Sequence, residues 1–336
     1  MNILVTGASG FVGSAVVDRL VTRSEFTLRA ALRQMNHQFP PMVDVIQVGD
    51  MAPDTDWVTA LQGIDVVVHT AARVHVMRDT ATDPLIEFRR VNVEGTLNLA
   101  RQSAAAGVKR FVFISSIKVN DEGTLLKKSY MADDSPAPID PYGISKMEAE
   151  QGLQQLAMET GIEVVIIRPP LVYGPGVKAN FASIIKWISR GVPLPLGAVY
   201  NHRSLVALDN LVDFIIYCID HPKAANEVFL LSDGEDVSTT ELLQKVAKAF
   251  GKKTRLIPVP VWLMTFVAKL VGKSDVANRL FGSLQVDNSK ARDLLGWQPV
   301  VTMDEQLKKM ASDQKHDKFY RKKRHEIKPA MGNHGE

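Results

Sequence analysis

The chain has 336 residues, 46% of them apolar, and a formal net charge of +3. That is enough apolar material for one large core or two unequal ones. The charge is too small to argue for a nucleic-acid partner, and no aromatic-basic interleave suggests one. A single cysteine, Cys218, excludes an internal disulfide framework or a cysteine-based zinc cluster. It lies in the apolar run 214–219, where a buried, inert thiol is expected. His69 and His75 lack partners at metal-ligand spacing, so no metal is expected.

The chain opens on Met1-Asn2-Ile3-Leu4-Val5, a short apolar run of the kind that forms a buried parallel strand. Thr6-Gly7-Ala8-Ser9-Gly10-Phe11-Val12-Gly13 follows at once, and then Val12, Val16, Leu20 and Val21 recur at helical spacing. Strand, glycine turn and helix start in that order make an anion site. Free backbone N–H groups and the helix dipole face a pyrophosphate, which comes close because glycine carries no side chain. The motif is therefore expected to bind a dinucleotide.

Further strand-like runs at 27–32, 43–48, 66–69, 110–114 and 163–168 alternate with amphipathic segments. That alternation implies βαβ units and an α/β fold with a Rossmann-type, doubly wound parallel sheet. Beyond about residue 170 the regularity breaks into Pro- and Gly-punctuated pieces such as Gly191-Val192-Pro193-Leu194-Pro195. A dinucleotide-binding domain over 1–170 is expected, then a smaller C-terminal substrate-binding region over 171–312. The two interleave, because 228–231 is expected to return to the main sheet. Residues 313–336 are densely charged and read as a frayed, solvated tail.

Between these landmarks lies Asp140-Pro141-Tyr142-Gly143-Ile144-Ser145-Lys146. Asp then Pro is a helix-start signature, and the four-residue spacing puts Tyr142 and Lys146 on one helix face. A phenol titrating near 10 is a poor catalyst at neutral pH, and an adjacent ammonium is expected to lower it. The run Phe111-Val112-Phe113-Ile114-Ser115-Ser116 reads as a buried strand ending in two hydroxyls.

With these elements together, the sequence resembles the extended short-chain dehydrogenase/reductase superfamily, in its nucleotide-sugar epimerase/dehydratase/reductase branch. The resemblance runs over about residues 1 to 310. It rests on the glycine turn, Asp50, His69-Thr70-Ala71-Ala72, Asn92, Ser116, Tyr142 with Lys146, and Arg168-Pro169-Pro170-Leu171-Val172-Tyr173-Gly174-Pro175-Gly176. It implies Ser116, Tyr142 and Lys146 as the catalytic residues. Ser115 is then a strand-end hydroxyl packed near the nicotinamide. The implied cofactor-binding set is Gly7, Gly10, Phe11, Val12, Gly13, Arg33, Asp50, Met51, Thr70, Ala71, Ala72, Asn92, Ser115, Tyr142, Lys146 and Pro169.

The cofactor is expected to be NAD or NADP. Arg33 follows the second strand where NAD-selective domains carry an acid, and a guanidinium grips a 2′-phosphate; this favours NADP(H). The competing role for Arg33 is stacking on adenine. The substrate implied is a UDP-linked sugar held by Ser116, Asn180, Arg203 and Arg279, with Leu284 or Ser283 leaving room for an N-acetylhexosamine.

The resemblance extends to the subgroup of UDP-quinovosamine-type 4-reductases and 4-epimerases, partly through Ala71-Ala72-Arg73-Val74-His75-Val76-Met77. A UDP-4-keto-6-deoxy-HexNAc 4-reductase of bacterial surface polysaccharide synthesis is placed first. A UDP-glucose/UDP-N-acetylglucosamine 4-epimerase with retained NAD is the alternative. A 4,6-dehydratase is third, since Ile117-Lys118 replaces its acidic pair. By the same resemblance a homodimer is expected, paired through the helix over about 83–106 and the helix carrying Tyr142.

No stretch approaches the roughly 20 apolar residues of a membrane span. The first run is too short, and too promptly followed by glycines, for a signal peptide. A cytoplasmic protein without stable membrane insertion is expected. The apolar segment 261–268 is read as a lid or core helix over the substrate site, with a membrane-surface contact beside Arg321-Lys322-Lys323-Arg324 as the weaker alternative.

Overall fold

The computed structural model describes residues 1–74, 83–125, 128–177, 179–272 and 274–326, with residues 179–180, 275–276 and 315–326 as backbone only. In chain order, β1 (Asn2–Thr6) leads into α1 (Phe11–Leu20), followed by β2 (Thr27–Leu32), β3 (Val43–Gln47), α2 (Val58–Leu61) and β4 (Val66–His69). Next come α3 (Pro84–Phe88), a π-helical turn over Arg89–Gly95, α4 (Thr96–Ala105), β5 (Arg110–Ile114), β6 (Ser129–Tyr130), α5 (Pro141–Thr160) and β7 (Glu163–Arg168). The later chain supplies β8 (Leu171–Tyr173), α6 (Ala179–Ser189), β9 (Arg203–Ala207), α7 (Leu208–Asp220), β10 (Val228–Leu230), β11 (Asp236–Val237) and α8 (Thr239–Ala249). It ends with α9 (Val261–Leu270), α10 (Ser274–Phe281), β12 (Gln285–Val286), α11 (Ser289–Leu295) and α12 (Met303–Glu326).

Seven parallel strands form the main sheet in the order β10-β7-β5-β4-β1-β2-β3. Both faces are covered, and the period-two alternation of each strand divides its side chains between them. Ile3 and Val5 pack with Val16, Leu20, Leu211 and Phe214 under α1 and α7. Leu4 packs on the other side with Leu99, Leu153 and Leu156 under α4 and α5. Each such side chain, fully buried, contributes about 1.5–3 kcal/mol. β10 joins the sheet through Val228↔Ile166, as the sequence implies.

A separate core built on Tyr173, Phe181, Leu205, Leu243, Val246 and Leu307 organises the later chain, around a three-stranded sheet β11-β9-β8. A two-stranded parallel pair, β6 with β12, ties the segment before α5 to this later part through Ser129↔Gln285 and Tyr130↔Val286. Thr124 N–H donates to the Ser283 carbonyl at 2.8 Å beside it.

Two elements differ from the sequence expectation. The helix expected over 83–106 is broken in its middle by the π-helical turn. The apolar segment 261–268 does form a helix, but no residue of α9 is buried. It is therefore no core helix: Val261 and Met264 lean on the later core and its other face is open. α12 continues to Glu326, into the segment read as a tail; residues 327–336 lie outside the described residues. Among the described residues no helix is long and apolar enough to cross a membrane.

Candidate active site

In a parallel sheet the strands' C-terminal ends share one edge, and ligands bind there. Along this edge come the turns after β1, β2, β3, β4, β5 and β7, and they carry most of the residues singled out above.

Gly7, after β1, has φ +66°, a left-handed conformation that glycine adopts without strain. A Cβ there would lie 2.7 Å from the Ala71 amide, and one at Gly13 would lie 2.2 Å from the Gly7 carbonyl oxygen. Gly10 N–H donates to that same carbonyl at 2.8 Å, which folds the turn. Gly10 is the extended N-cap of α1, and no side chain caps it. The first N–H groups of α1, from Phe11, Val12 and Gly13, thus have no intrahelical acceptor and open onto the turn. This bare cradle fits a dinucleotide pyrophosphate.

Arg33 follows β2 and Asp50 follows β3. Their side chains are 3.8 Å apart and largely exposed, at 72% and 76%. Met51 lies against the π-helical turn, where a Cβ on Gly95 would come within 2.8 Å of its Cγ.

At the end of β4, His69 is fully buried. Its Nδ1 meets Thr6 Oγ1 at 2.6 Å and its Nε2 meets Thr96 Oγ1 at 3.0 Å. Burial first, then the charge of Lys146, lowers its pKa to about 3, so it is a neutral structural link. Thr70 Oγ1 donates to the Thr6 carbonyl at 2.7 Å, fixing Ala71 beside Gly7. Asn92 reads the next residue: its Oδ1 accepts from Arg73 N–H at 2.8 Å and its Nδ2 donates to the Arg73 carbonyl and to Ser145 Oγ, both at 3.0 Å. Ser145 Oγ in turn donates to the Tyr142 carbonyl at 2.8 Å. The π-helical turn thereby locks the loop after β4 to the helix that carries Tyr142 and Lys146. Residues 75–77 lie outside the described residues, and so does the side chain of Asn180.

β5 runs past its end alongside β7, with Ser115 N–H donating to Ile167 O at 2.7 Å and Ile117 N–H to Pro169 O at 3.0 Å. Ser116 is held between them in extended conformation. α5 begins as its sequence implies, with Asp140 Oδ1 accepting from Gly143 N–H at 2.6 Å and Pro141 in the first turn. This brings Tyr142 beside Ser116, whose hydroxyl works to lower the phenol's pKa. The Tyr142 ring also meets Phe88 edge-on at 5.9 Å.

One turn on, Lys146 is 2% exposed, donates to the Ile114 carbonyl at 2.8 Å and sits 4.3 Å over the Phe113 ring. Burial lowers its pKa to about 7, while the Glu150 carboxylate opposes that drop. The expectation that Lys146 acidifies Tyr142 is corrected here. Burial and then Asp140 push the phenol above its ordinary value, and the group found pulling it back is Ser116. Lys146 spends its proton on β5 instead.

Five contacts escaped the sequence reading. Glu150 and Arg168 form a buried ion pair at 2.5 Å, with Arg168 Nη1 also donating to Asn120 at 3.1 Å. Ser115 Oγ donates to the same Glu150 carboxylate, so its hydroxyl is already engaged. Lys118, in place of the dehydratase acids, pairs with Glu122 at 2.5 Å and with Asp140. Burial alone would raise Asp140, but Lys118 and the Gly143 N–H hold it below the usual carboxylate range. Nothing in the sequence pairs Glu150 with Arg168 across 18 positions, or Lys118 with Asp140 across 22.

In the later chain, Arg203 donates to the carbonyls of Arg279 and Gly282 at 2.8 and 3.0 Å, and burial lowers its pKa. The Arg279 side chain is exposed. Leu284 is buried with Ile117, next to Ser116, and Ser283 Oγ accepts from His202 N–H at 3.0 Å.

The family model for the NAD dependent epimerase/dehydratase family matches residues 3–232. The chain belongs to this family. As a family member it is an enzyme that uses a nicotinamide dinucleotide, and among its relatives is the UDP-glucose 4-epimerase of Vibrio cholerae, 50% identical over 311 residues, 92% of this chain and 94% of the relative. Another is the N-acetyl-alpha-D-glucosaminyl-diphospho-ditrans,octacis-undecaprenol 4-epimerase of Escherichia coli O157:H7, 30% identical over 81% of each chain. The epimerase/dehydratase fold is equally plain in the solved UDP-glucuronic acid 4-epimerase of Bacillus cereus in complex with NAD. Its TM-score is 0.75 at 23% identity, covering 94% of this chain and 99% of that one.

Proposed function

We propose that the protein is a UDP-hexose 4-epimerase, acting on UDP-glucose or UDP-N-acetylglucosamine. The observation that carries this is the 50% identity to the Vibrio cholerae enzyme across nearly the whole of both chains, joined to the placing of Tyr142 beside Ser116 at the start of α5. The 4-reductase placed first from sequence has weaker support: it rests on Arg33, where NAD-selective domains carry an acid, and on the resemblance carried by residues 71–77.

In this proposal the glycine turn and the start of α1 hold the pyrophosphate, Arg33, Asp50 and Met51 flank the adenosine, and Lys146 anchors the nicotinamide ribose. The bound nicotinamide supplies a site that takes hydride from sugar C4 and returns it to the opposite face. Tyr142 takes the C4 hydroxyl proton as the C4–H electron pair departs, and gives a proton back to the same oxygen when the pair returns. Ser116 donates to that oxygen while its charge develops. Protonated Lys146 also holds β5 and α5 together through the Ile114 carbonyl. Arg203 and Arg279 meet the UDP diphosphate, with Asn180 near the nucleotide, and Leu284 and Ser283 bound the sugar. A cytoplasmic homodimer, pairing through the α3–α4 region and α5, completes the proposal.

Denaturing purified protein and identifying the released dinucleotide, then incubating intact enzyme with UDP-glucose, tests it. The expected result is retained NAD and redox-neutral formation of UDP-galactose. Net oxidation of added NADH or NADPH with a UDP-4-keto-6-deoxy sugar, without such interconversion, would establish the reductase instead.

A further inference from the structure

The outer face of α9 is left unused by the catalytic proposal. Its inner residues Val261, Met264, Thr265 and Ala268 are partly buried. The opposite face carries Trp262, Leu263, Phe266, Val267 and Leu270, continued by Val271, and all are exposed, from 38% to 71%. Folded soluble proteins rarely leave so continuous an apolar stripe in water unless it has a binding role.

Along the chain segment that contains this stripe, charge has one sign as far as Asp275 in α10. From Leu242 to Ser274 the sequence contains no Asp or Glu, while Lys252, Lys253, Arg255 and Lys269 are exposed. The adjoining segment is bound to it edge to edge: Leu194 N–H donates to Arg255 O at 2.9 Å, and Ile257 N–H to Leu194 O at 2.8 Å. From Val177 to Leu208 that segment also lacks any acidic residue, and it presents Lys186, Arg190 and Trp187 to solvent. Two bonded segments free of acid, one of them leading into the exposed Trp/Phe/Leu face, supply basic side chains to flank an apolar centre.

We infer that the outer face of α9, with its basic rim, docks this enzyme on an anionic bilayer surface. Helices that lie in the interface combine an apolar face holding Trp, Phe and Leu with flanking Lys and Arg, and anionic headgroups attract basic side chains within a Debye length. Protein interfaces, by contrast, are depleted in lysine. α10 packs against α9 and carries Arg279, whose carbonyl anchors Arg203. The docking face therefore belongs to the substrate side of the molecule. The inference stands on exposure and charge, and it holds whichever sugar or reaction the active site serves.

Sedimentation of the full chain with phosphatidylcholine vesicles, and with vesicles containing 30% phosphatidylglycerol, tests it. We expect binding to the anionic vesicles only, reversed at 0.5 M salt. Phe266→Glu with Leu270→Glu should weaken that binding at least about tenfold with epimerase turnover on UDP-glucose unchanged, and Lys252→Glu with Lys253→Glu should weaken it and flatten its salt dependence. Failure of the wild-type chain to bind anionic vesicles overturns the inference. So does equal binding by the Phe266→Glu/Leu270→Glu protein. If those two substitutions instead convert a dimer to a monomer in sedimentation velocity while vesicles leave the wild type in solution, α9 is a subunit interface.

Discussion

Replacing Glu150 with Gln keeps the side chain's shape and removes its charge. Arg168 is 4% exposed and Glu150 2%, so the guanidinium would stay buried against a neutral amide. Breaking a buried ion pair from one side costs about 3–5 kcal/mol. The bond from Arg168 to Asn120 at 3.1 Å survives, which puts the expected loss near the lower end, about 3 kcal/mol. Taking a urea slope of about 3 kcal/mol per M for a chain of this size, the unfolding midpoint should fall by about 1 M. A second effect is catalytic. The Glu150 carboxylate works against the burial that lowers Lys146 to about 7, so without it Lys146 loses its proton at lower pH. The alkaline limb of the turnover profile should move toward neutrality. Urea unfolding by near-UV circular dichroism and epimerase turnover between pH 6 and 9 read the two effects. Adding Arg168→Met to Glu150→Gln should recover much of the stability, because the stranded charge goes too. A Glu150→Gln protein with a wild-type midpoint and an unmoved alkaline limb would refute the reasoning.

Tyr142→Phe should lower turnover at least about a hundredfold with dinucleotide binding largely kept; unchanged turnover means another group moves the proton. Arg33→Ala should weaken NADPH binding by about 1.5–3 kcal/mol more than NADH binding if the guanidinium grips a 2′-phosphate. Equal weakening, measured by titration, assigns it to adenine stacking. Gly13→Ala places a Cβ 2.2 Å from the Gly7 carbonyl oxygen, so the turn must open and NAD should be absent from the purified protein. His69 is held neutral down to about pH 3 by burial, whereas an unfolded histidine titrates near 6.5. The unfolded chain therefore takes up a proton that the folded one refuses, and stability should fall as pH drops from about 6.5 toward 3. In His69→Gln the urea midpoint should depend less on pH across that range.

The sheet was legible because parallel strands buried on both faces leave unbroken apolar runs: the expected 27–32, 66–69, 110–114 and 163–168 coincide with β2, β4, β5 and β7. Asp140-Pro141 announced α5 for an equally local reason, a carboxylate capping the first turn. What stayed hidden depends on distance in the chain or on surroundings. The π-helical turn at Arg89–Gly95 has no periodic signature of its own, yet it sets where Asn92 reaches. Tyr142's raised pKa comes from burial and Asp140, and the spacing to Lys146 could not reveal either. α9 misled because an apolar run says a helix wants to leave water, and not whether the fold gives it anywhere to go.

The short β6–β12 pair makes the later part of the chain and the loop between Ser116 and Tyr142 one mechanical piece. Arg203 grips Gly282, Ser283 O accepts from Thr124 N–H, and Gln285 and Val286 pair with Ser129 and Tyr130 between Ser116 and Tyr142. A jaw-like parting of the two halves would have to unzip this seam, at about 0.5–1.5 kcal/mol for each hydrogen bond. In the role proposed for Arg203, a diphosphate that pulled on it would tug, within a few residues, on the very loop that spaces Ser116 from Tyr142. On that proposal, tension applied at the nucleotide end would have a short, stiff line to the reacting oxygen, and a sugar lacking its diphosphate would leave that line slack.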